Sequence, residues 1–148
     1  MVDSRAKGAR GEILVKDLLT KYTKLNWCRT PLSGALHERY KMKGDIYLPD
    51  TKNRFCIEVK NYQESSFNDK ILTSKTNNIV LWWTKICMQA ISCEQEPLLF
   101  FKYDRSKIFV ATAIKPVNTK MFVYISFLEC YIMSSEEWLN KEKITWIL

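Results

Sequence analysis

The chain has 148 residues, 47% hydrophobic and 26% charged, with 23 Lys plus Arg against 16 Asp plus Glu for a net charge of +7. That size suits one domain burying roughly two thirds of its unfolded surface, and the composition excludes a disordered chain. No apolar run approaches the ~20 residues of a membrane span, and the N-terminal MVDSRAKGARGE lacks an apolar signal core, so neither insertion nor secretion is expected.

Residues 6–22 read as a helix, with Ile13, Val15, Leu18, Leu19 and Tyr22 near helical spacing. Gly8 and Gly11 weaken its first turn, so the ordered helix is expected from about Ala9. A short strand, Asn26 to Thr30, leads into a loop containing Pro31, Ser33 and Gly34. Residues 44–48 and 54–60 read as two strands around the turn-forming PDTKN. Residues 61–76 are polar and read as loop. Asn77 or Asn78 can cap a largely apolar helix that runs to about Glu94. Three strands follow, Leu98 to Tyr103, Ile108 to Ala113 and Met121 to Phe127. Ser134 and Glu137 have capping-box spacing and open a short helix through Asn140. With no repeat or linker, residues 1–148 read as a single α/β domain, one central mixed sheet flanked by helices. Its core spans about 6–113, and 114–148 form a C-terminal strand and short helix extension.

The positive excess favours a polyanionic partner, nucleic acid first. Cys28, Cys56, Cys87, Cys93 and Cys130 form no CxxC pair, and His37 is the single histidine. This argues against a zinc site and a disulfide framework and for free thiols in a reducing cytoplasm. For a viral chain that would be the host cytoplasm.

The chemistry concentrates between Gly44 and Lys60. Side chains alternate along a strand, so Glu58 and Lys60 share one face while Ile57 and Val59 point to the other. A turn centred between Thr51 and Lys52 would set Asp45 opposite Glu58 on that face, with Cβ atoms about 5 Å apart. Two carboxylates that close repel, and a divalent cation relieves the repulsion. Oxygen ligands on a rigid strand pair suit Mg²⁺ or Mn²⁺, which can stabilise a phosphoryl transition state. Lys60 could orient the attacking water or neutralise the phosphate. Glu12, beside the buried stripe of the first helix, is a further candidate ligand, its alternative being an exposed pair with Lys16. Arg5, Lys7, Arg10, Arg29, Arg39, Lys41 and Lys43 cluster in sequence around these acids, as holding phosphates beside a metal requires.

Gly44-Asp45-Ile46 followed by Glu58-Val59-Lys60 resembles the PD-(D/E)XK nuclease superfamily, and within it the archaeal-type Holliday-junction resolvases and related phage enzymes. The likeness extends to Lys7-Gly8-Ala9-Arg10-Gly11-Glu12, and to Arg29 ahead of Leu32-Ser33-Gly34-Ala35. It covers residues 5–60; beyond them only the helix-then-strands order matches. The loop from Leu36 to Lys43 is longer than in the archaeal form, and the tail from about Pro116 has no counterpart there. The resemblance implies a restriction-endonuclease-like fold and a homodimer that cuts four-way or branched DNA with Mg²⁺. It implies Glu12, Asp45, Glu58 and Lys60 as the catalytic set, with Ser33 and Arg29 near the scissile phosphate. A restriction- or repair-type nuclease acting on duplex DNA and a non-catalytic nucleic-acid-binding module stay open as alternatives. Trp82, Trp83 or the Met121 to Phe127 strand could supply a dimer interface, although each also suits the core.

Overall fold

The computed structural model describes residues 3–31 and 44–148. The elements among them are α1 (Ser4–Thr23), β1 (Cys28–Arg29), β2 (Ile46–Tyr47), β3 (Phe55–Tyr62), α2 (Asn78–Ser92), β4 (Glu96–Tyr103), β5 (Phe109–Thr112), β6 (Val123–Ile125), β7 (Cys130–Ser134) and α3 (Ser135–Lys141). The strands form one seven-stranded sheet in the order β1-β2-β3-β4-β5-β7-β6. Only β3 and β4 run parallel, joined by the crossover through α2, because a parallel pair cannot be closed by a tight turn. This mixed sheet with helices on both sides is the α/β, restriction-endonuclease-like architecture expected.

Helix α1 begins at Ser4 rather than near Ala9. Asp3 caps it, its carboxylate accepting from the N–H groups of Arg5 at 3.0 Å and Ala6 at 3.4 Å. A cap of this kind is worth ~1 kcal/mol and offsets about one helical glycine. Gly11 is placed for contact: a Cβ there would lie 2.7 Å from the Asn61 Cβ of β3. Asn61 also donates its side-chain amide to the Lys7 carbonyl at 3.0 Å. Together these draw the first half of α1 tightly onto β3.

The sheet is buried on both sides. Val15 and Leu19 of α1 and Trp138 of α3 pack with Ile46, Ile57, Leu98 and Phe100 on one face. Ile79, Trp82, Trp83 and Ile86 of α2 pack with Cys56, Leu99 and Phe101 on the other. Trp82 and Trp83 are therefore core, and neither offers a dimer interface. Asn77 caps α2, accepting from Ile79 N–H at 2.9 Å. The stretch read as loop after Lys60 gives β3 two more residues and holds a 3-10 turn at Asp69–Ile71.

The C-terminal third differs most from expectation. Instead of one strand from Met121 to Phe127, β6 covers only Val123–Ile125, followed by a 3-10 turn at Ser126–Leu128 and then β7. Strand β7 inserts between β5 and β6. Ser134 caps α3 as anticipated, accepting from the Glu137 N–H at 3.5 Å. Among the described residues, no helix is long and apolar enough to cross a membrane.

Candidate active site

Ile46 pairs with Ile57 across β2 and β3, the register in which Asp45 faces Glu58. Asn53 sets the turn between the strands, accepting from the Leu48 N–H at 2.7 Å and donating to the Leu48 carbonyl at 2.8 Å. Gly44 makes the approach possible. Its φ is +85°, and a Cβ there would fall 2.5 Å from the Ile57 carbonyl oxygen. Only glycine fits a left-handed backbone pressed against a neighbouring strand.

Asp45 is tied in on three sides. Its N–H donates to the Ile57 carbonyl at 2.6 Å, and its own carbonyl accepts from the Thr30 N–H at 2.8 Å. Its Oδ2 accepts from the Val59 N–H at 2.8 Å, so the carboxylate takes over a ladder bond of β3 and is fixed in direction. Burial pushes its pKa up to about 7, reinforced by the charge on Glu58 and, more weakly, on Glu12; the Val59 N–H and the Lys60 ammonium pull the other way. Asp45 thus interacts electrostatically with each of the other three residues proposed from the sequence.

Glu58 and Lys60 share a face, as the alternation requires, with Lys60 Nζ 3.4 Å from Glu58 Oε1. Ile57 and Val59 pack on the opposite face, with the α1 cluster. Glu12 comes in from that α1 side, its side chain only 14% exposed and its Oε1 3.5 Å from Arg29 Nε. The Glu12–Lys16 pair does not form; Lys16 faces Asp17 instead, at 3.4 Å. Asp45 stands at the seam, sensing acids from both faces of the sheet. Among the described residues, no group of three or more His, Cys, Asp or Glu side chains is assembled that could hold a metal ion. The acidic core is the Asp45–Glu58 pair, with Glu12 held by its arginine. A hard, oxygen-binding dication fits this pair: both donors are carboxylate oxygens, and the raised pKa of Asp45 marks a position short of positive charge.

The basic residues divide. Arg5 and Arg10 are exposed on α1. Lys7 is bound to Asp104. Arg29 serves Glu12, and its Nε is buried without a hydrogen bond. Ser33, Arg39, Lys41 and Lys43 lie outside the described residues. A cleft of about 230 Å³ beside Lys60 is lined by Ser4, Lys7, Gly8, Val59, Lys60, Asn61, Tyr62 and Gln63.

Three further residues belong to this arrangement. Gly11 and Asn61 set how closely α1 approaches, and the close-contact role of Gly11 is hidden in sequence behind its low helix propensity. Thr30 binds the Asp45 carbonyl through its N–H, while its hydroxyl is buried without a partner; nothing in the residue order marks it.

A sheet that gathers Asp, Glu-x-Lys and a helix-borne Glu at one seam defines the PD-(D/E)XK nuclease class. Residues 3–147 match the family described as "Phage putative PDDEXK endonuclease", and the chain belongs to that family. It is similar to Protein D14 of Escherichia phage T5, 36% identical over 153 residues that cover 97% of this chain and 96% of that protein. No solved structure matches it. Membership makes DNA the substrate class and a divalent metal ion the general cofactor.

Proposed function

We propose that this chain is a Mg²⁺-dependent endonuclease that resolves four-way or otherwise branched DNA as a homodimer in the cytoplasm of the phage's host. The observation that carries the reading is the Ile46–Ile57 register, which sets Asp45 against Glu58 with Lys60 on the same face. Asp45 and Glu58 would hold the ion, with Glu12 close enough to serve through water. When bound, the ion supplies positive charge to the reacting phosphate and acidifies water there.

The remaining work falls to the protein. The Val59 N–H fixes the Asp45 carboxylate, so no reorganisation is needed when substrate arrives. Lys60, held 3.4 Å from Glu58, donates to the attacking water or to a non-bridging phosphate oxygen. Arg29 keeps Glu12 ionised and oriented, and its outer N–H groups are free to take a phosphate in the bidentate manner of arginine. Ser33 would stand near the scissile phosphate. Arg5, Lys7, Arg10, Arg39, Lys41 and Lys43 would contact the flanking backbone. Cutting two symmetry-related strands calls for two sites, which a twofold dimer provides.

The test compares cleavage of a synthetic four-way junction with that of its component duplexes, with and without Mg²⁺. Paired nicks in the junction, absent from the duplexes and lost in Asp45→Ala and Glu58→Ala, are expected. Equal cutting of the duplexes transfers the reading to a restriction- or repair-type nuclease. Absence of any metal-dependent cut across the panel sinks the nuclease assignment in favour of a binding module.

A further inference from the structure

Strand β6 is the far edge of the sheet, with β7 on one side and no strand on the other among the described residues. Protein edges are ordinarily blunted by lysine, proline, bulges or shortness. The opposite edge, β1, obeys with two residues. The β6 edge does not: the run Met121-Phe-Val-Tyr-Ile-Ser-Phe-Leu128 contains no charge and no proline. Its apolar groups face solvent, with Met121 80%, Val123 49%, Tyr124 47% and Phe127 57% exposed. They are preorganised, because the Tyr124 ring lies against Tyr131 at 4.5 Å and Phe122 packs edge-on to Tyr131 at 5.6 Å. A groove of about 540 Å³ runs beside them, lined in part by Phe67, Phe109 and Met133.

We infer that this edge docks a second copy of the chain, β6 against β6 in antiparallel register about a twofold axis near Tyr124. Three features select a copy of itself over another partner. An uncharged strand is self-compatible, with no like charges brought together along it. Lys120 precedes the run and Glu129 follows it, so antiparallel pairing sets Lys120 of one copy toward Glu129 of the other. The exposed side chains and backbone present roughly 500 Å² of mainly apolar surface, about the largest patch a monomer carries and most of the ~800 Å² per partner in a standard interface.

Pairing here would extend the sheet to twice its width. Each β2–β3 site lies four strands from its own β6, so at about 4.8 Å per strand the two sites would stand roughly 40 Å apart, accessible at opposite ends of the dimer. The inference rests on the homodimer part of the proposed function and not on its chemistry.

Light scattering and sedimentation of the full chain test it. At 20 µM the expected mass is twice the 17.5 kDa of one chain. Met121→Glu/Val123→Lys, and separately the milder Met121→Glu, should weaken dimerisation at least 100-fold with an unchanged circular dichroism spectrum. Met88→Glu/Ile91→Lys, on the exposed face of α2, should leave the dimer intact. Glu58→Gln should dimerise as wild type does, separating loss of chemistry from loss of assembly. A monomeric wild type at 100 µM, folded β6 variants that stay dimeric, or dissociation by the α2 variant alone would each overturn the inference.

Discussion

At one end of the sheet, around β2 and β3, the side chains of Glu12, Asp45, Glu58 and Lys60 are drawn largely out of water and crowded together. At the other end, along β6, Met121, Val123 and Phe127 are left in it. Folding alone favours the reverse, since burying charge and exposing large apolar groups both cost free energy. The strands between the two ends show what unconstrained packing looks like: Leu98, Leu99, Phe100 and Phe101 of β4 are all fully buried. Each end is stabilised by what it binds, a cation and phosphates at one and apolar surface at the other. Polar chemistry and assembly have thus been placed on opposite margins of a single rigid sheet.

The comparison breaks most decisively if the charged end can be neutralised at no cost to activity. Glu58→Gln keeps the volume of the side chain and removes the charge facing Asp45. Single-turnover cleavage of the preferred DNA in Mg²⁺ is expected to slow by at least ~10³-fold, about 4 kcal/mol of barrier, with DNA binding by gel shift held within a few fold. A rate within tenfold of wild type would show the pair to be structural.

Next in size is Gly44→Ala. A Cβ 2.5 Å from the Ile57 carbonyl, on a backbone at φ +85°, must push β2 away from β3. About 3 kcal/mol of stability should be lost in a urea melt, from strain and the loosened Asp45 contacts. The matching change at the apolar end, Met121→Ala, replaces a side chain that is mostly in water and should cost the monomer under ~0.5 kcal/mol. Equal losses at both ends would deny that the β2–β3 seam is held under tighter constraint.

Much of the charged end was legible in the sequence. The PDTKN turn and the alternation in Cys56-Ile57-Glu58-Val59-Lys60 are local signals, and local signals set the hairpin register and the shared face. The capping residues Asn77 and Ser134 were legible for the same reason. What escaped depends on contacts distant in sequence. Gly11 weakens a helix on propensity grounds, yet it is the point at which α1 meets Asn61, fifty residues on. Arg29 looked like a free phosphate contact until the fold set it against Glu12. Strand β7 gave no clean alternation because both of its faces are substantially buried between β5 and β6, which removes the period-two cue. Trp82 and Trp83 could not be told from the Met121 to Phe127 segment as interface material, since apolar character does not say whether a later element covers it.

The finest discrimination comes from Asp45→Asn in the metal-free protein. With a pKa near 7 in the folded chain and near 4 when unfolded, Asp45 keeps a proton on folding that the unfolded chain has released between those values. Stability therefore falls as pH rises through that window and levels off above 7, the sign opposite to that of a carboxylate stabilised by a salt bridge. Asparagine can still accept from the Val59 N–H and carries no charge against Glu58. The variant should match wild type below pH 4 and exceed it by ~2 kcal/mol at pH 8, an order of magnitude set by about 1.4 kcal/mol per pH unit. Urea melts of both proteins across pH 4–8 measure the difference. Adding Mg²⁺ at pH 8 should stabilise wild type by mass action and the variant less, shrinking the gap. A gap that is flat with pH would show that Asp45 is ionised in the fold at no cost, and the contrast between the two ends of the sheet would then lose its electrostatic half.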